Sequence, residues 1–150
     1  MNERRTFRIL PKAFRIKEGE KKHFEIQRPL SEIDPIEESS ITPKSREDLA
    51  TFVEAPLLEA CQLFYDKGIE TWMSSANKKD IAIGEAHIII RYDSLSDQNK
   101  KIAQQSGRSF SYLNREYTKI TMPVTAGTTA QEISRHMVGI ARRFESQTSS

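Results

Sequence analysis

The chain has 150 residues, of which 37% are hydrophobic and 29% charged, and its formal net charge is +2. This length is enough for one domain with a core that needs no metal or disulfide, and the composition excludes a fully disordered chain. The single cysteine, Cys61, excludes an internal disulfide, and the longest strongly apolar stretch (86–90) is far too short to span a bilayer.

The first 44 residues are predicted to form a basic arm. Residues 1–28 hold nine Lys and Arg against four Asp and Glu. They contain short apolar–polar alternations, such as the one at 7–10, which are typical of edge strands. Three prolines follow in residues 29–46 and indicate a linker or an irregular loop. We therefore assign residues 1–44 to a basic arm or edge hairpin followed by a Pro-containing linker.

A compact domain is predicted over residues 45–145, and it begins with a helix capped by Ser45. Pro56 is tolerated in a first turn but not inside a helix, so a break or a fresh helix start is expected there. The next stretch carries apolar residues at three- and four-residue spacing, typical of a buried helical face: Leu57, Ala60, Cys61 and Phe64. Gly68 should end this helix, because glycine accepts the left-handed conformation.

Two strands are predicted after this helix, at 69–73 and 81–92, joined by a polar turn at 74–80. Alternation in the second strand predicts that one face carries Ala86, Ile88, Ile90 and Tyr92, and the other His87, Ile89 and Arg91. Because the connection is short, the two strands should pair antiparallel.

A second helix is expected from a cap at Ser94 to Gly107, and its polar sequence favours a position on the surface. Residues 109–114 are predicted to be a loop. A third strand is predicted at 117–124, where Pro123 indicates either an edge position or the end of pairing.

The last helix opens with a capping-box pattern, Thr129 and Glu132, and residues 146–150 are expected to be a flexible tail. From residue 45 the element order is helix, strand, strand, helix, strand, helix. This order predicts an α+β fold, in which a small antiparallel sheet is covered by helices on one face and carries a basic N-terminal extension. It resembles the ferredoxin-like element order, and the resemblance lies in the order alone.

The polar turn and its neighbouring strands hold a candidate site for an anionic ligand. Hydroxyls, lysines and backbone N–H groups could hold a phosphate or carboxylate, and a tryptophan could stack on it. The candidate residues are Trp72, Ser74, Ser75, Lys78, Lys79, His87 and Arg91. The turn lacks the glycines of a phosphate-binding loop and does not lead into a helix, so its composition favours an ordinary hairpin turn.

The N-terminal arm is a candidate nucleic-acid interface. Phenylalanines alternate there with cations that could contact phosphates, namely Arg4, Arg5, Arg8, Lys12 and Arg15. Four acidic residues dilute this charge, and the whole chain is nearly neutral, which disfavours a nucleic-acid-binding domain.

No catalytic constellation stands out in the sequence. Cys61 lies on an apolar helical stripe, where a free cysteine usually acts as a small buried hydrophobe. The histidines lack the spacing of metal ligands, and the segment 127–129 is explained by helix capping alone. The sequence predicts no cofactor and no metal, and it leaves enzymatic activity undecided, with the balance against it.

The leading hypothesis is therefore a non-catalytic protein-interaction or regulatory domain whose partner is another protein or a second copy of the chain. Strand addition at the N-terminal segment or at the Pro123 strand would provide the contact. The alternatives are a small-molecule binder or an enzyme of unfamiliar type, and a nucleic-acid-binding protein. The first ten residues carry Arg4, Arg5 and Arg8, but no long apolar run follows them, so we expect no secretory signal, no membrane and a cytoplasmic location. Export by a dedicated secretion system would leave the same pattern.

Overall fold

The computed structural model describes residues 27–36 and 44–147. Most of the predicted basic arm, including Arg4, Arg5, Arg8, Lys12 and Arg15, lies outside the described residues. Within the described part, no helix has both the length and the apolar character needed to cross a membrane.

The described residues form five α-helices, four β-strands and one short 3-10 helix, Leu30–Glu32. The helices are α1 (Leu49–Phe52), α2 (Ala55–Asp66), α3 (Asp80–Ile83), α4 (Asp97–Ser106) and α5 (Ala130–Ala141). The strands are β1 (Thr71–Ser75), β2 (Glu85–Arg91), β3 (Arg108–Tyr112) and β4 (Arg115–Pro123). All strand pairs are antiparallel, and the sheet order is β1-β2-β4-β3. The predicted α+β class with an antiparallel sheet is confirmed.

The two long apolar helices, α2 and α5, pack against each other. Pro56 lies in the first turn of α2, where its missing N–H leaves no hydrogen bond unmade, so the predicted fresh helix start at this proline is confirmed. The predicted face of α2 is buried, and Phe64 meets Phe144 edge to face at 5.3 Å. Gly68 ends the helix with φ of 75°, a conformation that L side chains resist.

A short segment before residue 44 belongs to the core. Leu30 and Ile33 are buried with the residues of the domain, although the sequence places them in the linker. The segment is held by backbone bonds from Leu30 N–H to the Thr128 carbonyl (2.7 Å) and from Lys78 N–H to the Ile33 carbonyl (2.8 Å). Residues 27–36 thus bridge the start of α5 and the β1–α3 connection.

Two predicted element bounds around the first strand pair are wrong. The first strand begins at Thr71, two residues later than expected, because Ile69 is buried against the helices before the strand starts. Residues 80–83 form a helical turn instead of strand, since Asp80 caps the preceding turn by accepting from the Asn77 N–H at 2.9 Å. Gly84, at φ of 88°, then turns the chain into β2.

Two predictions in the second half are also corrected, and the structure decides between the two alternatives for Pro123. The cap of α4 is Ser96, whose hydroxyl accepts the Asn99 N–H, and not Ser94. The segment predicted as a loop at 109–114 is largely β3, which leaves only Leu113 and Asn114 in the turn. Pro123 does not mark an edge strand: β4 lies inside the sheet, and the proline is its last residue, where pairing ends.

The C-terminal end is tied back to the domain as far as the structure describes it. Gln147 donates its N–H to the Lys67 carbonyl at 2.7 Å, and its side chain contacts Asn99 and the Ser94 carbonyl. The capping box of Thr129 and Glu132 that opens α5 is confirmed.

Candidate functional site

The register of the sheet separates two faces. Ile88 lies opposite Ile120, and Ile90 lies opposite Thr118; these side chains point towards the helices and are fully buried. The residues between them point the other way, where His87 lies opposite Thr121 and Ile89 opposite Lys119. We call these the covered face and the open face. The predicted alternation along β2 is therefore confirmed.

A bulge in β1 directs Trp72 to the open face. Thr71 pairs with Ile90 and Met73 pairs with Ile89, so Trp72 is the extra residue between them. A β-bulge of this kind places two successive side chains on the same side of the sheet and is frequent next to functional sites. Trp72 and Met73 are accordingly 39% and 40% exposed.

Trp72 completes a cluster of four aromatic rings on the open face. Its ring stacks on Tyr117 with centroids 4.3 Å apart and on Tyr112 at 5.4 Å, while Phe110 stacks on Tyr117 at 5.5 Å. Tyr117 is buried beneath the others, and Tyr112 is 51% exposed. We call Trp72, Met73, Phe110, Tyr112, Tyr117 and Leu113 the aromatic surface.

The hairpin tip beside this cluster is conformationally strained. Leu113 and Asn114 have φ of 48° and 65°, the pattern of a two-residue turn with both residues left-handed. Asparagine accepts this conformation, whereas leucine resists it. Leu113 is also 78% exposed. A strained, exposed apolar residue beside exposed rings is typical of a binding surface rather than of a stabilising turn.

Charges of both signs surround the aromatic surface. The cations of this rim are Arg91, Arg108, Arg115 and Lys119, and the carboxylates among them are Glu70, Glu85 and Asp93. Asp93 pairs with Arg91 at 2.6 Å, and Lys119 reaches Glu85 at 3.4 Å. The Glu116 N–H and the Arg91 guanidinium lower the pKa of Asp93. Four cations against three carboxylates leave the rim with only a small positive excess.

The structure divides the predicted anion-binding residues. Trp72, Ser75, His87 and Arg91 lie on the open face, with Ser75 directly opposite His87. The others are engaged elsewhere: Ser74 lies opposite Ile88 on the covered face, beside Cys61, and Lys78 pairs with Asp34 at 2.9 Å. The exposed Lys79 gives its backbone N–H to the Asn77 side chain. The turn is organised around Asp80, which accepts from the Ser75 hydroxyl at 2.7 Å.

His87 is half-buried between β1 and β4. Desolvation lowers its pKa, and the nearby Lys119 lowers it further, against the opposing effect of Asp80 and Glu85. The imidazole is therefore held neutral at physiological pH.

Cys61 is buried in the core, as the sequence predicted. Desolvation raises the pKa of its thiol to about 12, so the thiolate needed for nucleophilic chemistry is not formed near neutral pH. No group of three or more metal-ligating side chains occurs in residues 27–36 and 44–147.

Sequence reasoning missed most of the aromatic surface. Phe110, Tyr112 and Tyr117 come from a segment predicted in part as loop, although Arg108-Ser109-Phe110-Ser111-Tyr112 alternates with the period of a strand. The alternation alone could have placed Phe110 and Tyr112 on one face. Trp72 joins them only through the bulge, for which the sequence has no signal.

Comparison with models of protein families, with curated proteins and with solved structures gave no significant match to this chain.

Proposed function

We propose that this protein is a non-catalytic protein-interaction domain that binds its partner through the aromatic surface. One observation carries the proposal: a sheet face that no helix of residues 27–36 and 44–147 covers presents Trp72, Tyr112 and Leu113 together, each substantially exposed. Aromatic side chains with a polar rim are the usual anchors of protein interfaces, because they release much water at little cost in side-chain entropy. The proposed partner contributes an apolar segment that covers the rings.

The mixed rim favours a protein over nucleic acid. Three of its cations, Arg91, Arg108 and Lys119, already lie within 4 Å of a carboxylate. A phosphate backbone would have to displace or repel these carboxylates, whereas a protein can match both signs. Single-stranded nucleic acid is the second candidate, since stacked rings beside arginines also suit unpaired bases.

Photo-cross-linking in the host cell tests the surface directly. A photoreactive phenylalanine analogue replaces Tyr112 in one variant and Tyr65 in the control. Tyr65 is a tyrosine on α2 that is 39% exposed and belongs to a different surface. We expect protein adducts at position 112 and few at position 65. Equal yields at both positions would contradict the proposal. Adducts that a nuclease digests would show that the partner is nucleic acid and not a protein.

The contribution of the N-terminal arm needs a truncation that spares the core. Removing residues 1–44 would delete Leu30 and Ile33, which are buried, and would confuse unfolding with loss of binding. Removal of residues 1–26 leaves all described residues in place. If the aromatic surface is the binding site, this shorter chain should keep its adducts at position 112.

A further inference from the structure

Among the described residues no strand pairs with the outer edge of β3, and this edge points to a second interaction. We propose that two copies of this chain pair antiparallel through β3, with a two-fold axis at Phe110, and join their sheets into one. The hydrogen bonds of this pairing use the backbone edge of the strand, while Phe110 and Tyr112 of the aromatic surface would lie at the seam between the two copies.

The backbone groups that β3 offers can be identified from its neighbour. Ser111 lies opposite Glu116. The carbonyl of Glu116 accepts the Tyr92 N–H at 2.8 Å, and its own N–H goes to the Asp93 carboxylate at 3.1 Å. Both groups of Glu116 thus point away from β3. Because hydrogen-bonded and non-hydrogen-bonded pairs alternate in an antiparallel ladder, Ser109 and Ser111 direct their N–H and C=O groups to the free edge.

The two edges of the sheet differ in how they are protected. The bulge at Trp72 interrupts β1, and such irregularities discourage strand addition. β3 pairs with β4 over all five residues without a shift in register, and its centre, 109–111, carries no charge and no proline. The serines there are exposed and small. Of the two edges of the described sheet, the β3 edge is therefore the one without a feature that discourages strand addition, which favours β3 as the place of pairing.

The side chains of β3 suit a second copy. A two-fold axis at Phe110 places Phe110 opposite its counterpart, Ser109 opposite Ser111, and Arg108 opposite Tyr112. No like charges meet, and each arginine faces an aromatic ring in the other copy, a favourable cross-strand pair. The outward groups of Ser109 and Ser111 then form four backbone hydrogen bonds across the axis. An extended segment of another protein would gain the hydrogen bonds without these matched side chains.

Register-specific disulfide formation tests the pairing in the full-length chain. Ser109→Cys and Ser111→Cys are prepared as two separate proteins and then mixed under oxidising conditions. The proposed register brings residue 109 opposite residue 111, about 5.5 Å apart, which fits a disulfide. Like residues lie diagonally at roughly 7–8 Å and are too far apart. Cys61 is buried and should not compete.

We expect covalent dimer in the mixture and little in either protein alone. Dimers that form equally well in each protein alone would overturn the register. A mixture that stays uncross-linked, together with a monomeric full-length protein in analytical ultracentrifugation, would overturn the proposal.

Two substitutions of Ser111 provide an independent test of the pairing. Ser111→Pro removes one outward N–H but no bond to β4, so the strand should persist, and Ser111→Ala keeps the donor. Two donors are lost per dimer, which should weaken dimerisation about tenfold or more, while Ser111→Ala should leave it unchanged. Equal dissociation constants for the two variants would contradict pairing through this edge. Circular dichroism verifies that both variants are folded.

Discussion

The covered and open faces of one sheet differ in what their side chains do. On the covered face Ile88, Ile90 and Ile120 are fully enclosed by helices and add to a single core. On the open face Ile89 and Tyr117 are buried too, yet they lie outside that core. Ile89 lies opposite the exposed Met73, and Tyr117 stacks against the exposed Trp72. The covered face therefore contributes to the core, and the open face carries a small apolar layer whose outer side chains are exposed.

This difference explains why the bulge, the strained turn and the exposed rings occur together. All three lie on the open face, where none of the described helices constrains them. Features that weaken a sheet persist when they serve a function other than stability. The following variants test whether the two faces separate in this way, from the largest expected effect to the smallest.

Two adjacent isoleucines on opposite faces provide the strongest contrast. Ile88→Ala should lower the free energy of unfolding by about 2–5 kcal/mol, since it leaves a cavity in an enclosed core. Ile89→Ala should cost less, because Trp72 and Met73 can settle into the gap, but it should weaken partner binding. Ile83, which is 70% exposed, serves as the control, and its replacement by alanine should change stability by less than about 0.5 kcal/mol. Chemical denaturation measures all three. Equal losses of unfolding free energy in Ile88→Ala and Ile89→Ala would contradict the distinction between the two faces.

Glu54 joins the segment 27–36 to the domain. Its buried carboxylate accepts the N–H groups of Ile36 and Ala76, each at 2.9 Å. In Glu54→Gln the side-chain NH2 group faces one of these N–H donors and cannot accept its hydrogen bond, so stability should fall by about 1–3 kcal/mol. Glu59→Gln, on an exposed part of α2, is the control. Urea denaturation curves that superimpose for the two variants would show that this junction is dispensable.

Leu113 allows backbone strain and side-chain binding to be separated. Leu113→Asn should raise stability by about 0.5–1 kcal/mol, because asparagine suits the left-handed turn, and should weaken partner binding. Leu113→Ala keeps the strain and loses only the apolar side chain, so stability should stay constant while binding falls. Thermal melts and binding assays on both variants measure this. If both variants still bind the partner as the wild type does, Leu113 is not part of the interface.

The smallest effect concerns pH. His87 in the folded protein takes up a proton only below its ordinary pKa of 6.5, whereas the unfolded chain takes it up near that value. The unfolded state thus binds more protons in the window just below pH 6.5, and stability falls as the pH is lowered through it. His87→Gln should flatten this slope, and His136→Gln, at an exposed histidine on α5, is the comparison variant. Chemical denaturation at several pH values measures the slope of stability against pH. Identical slopes in the wild type, His87→Gln and His136→Gln would contradict the assignment of this slope to His87.

The sequence predicts the covered face far better than the open one. Helical spacing on α2 and alternation along β2 report burial directly, because one face of each element must avoid water. The aromatic surface depends on a bulge at Trp72 and on β4 running between β2 and β3. Both are choices of pairing between distant segments, and local patterns carry little information about them. The linker assignment missed Leu30 and Ile33 for the same reason, since their burial requires contacts with α5 and the 76–78 turn.

Trp72 offers the most direct measurement of the central claim, because it is the sole tryptophan of the chain and lies in the aromatic surface. A single fluorinated tryptophan gives one fluorine NMR signal from this position. On addition of the partner identified through position 112, we predict that the signal shifts and broadens as the half-exposed ring loses water. A signal that stays unchanged while the partner is demonstrably bound would place the interface elsewhere and contradict the assignment of binding to the open face.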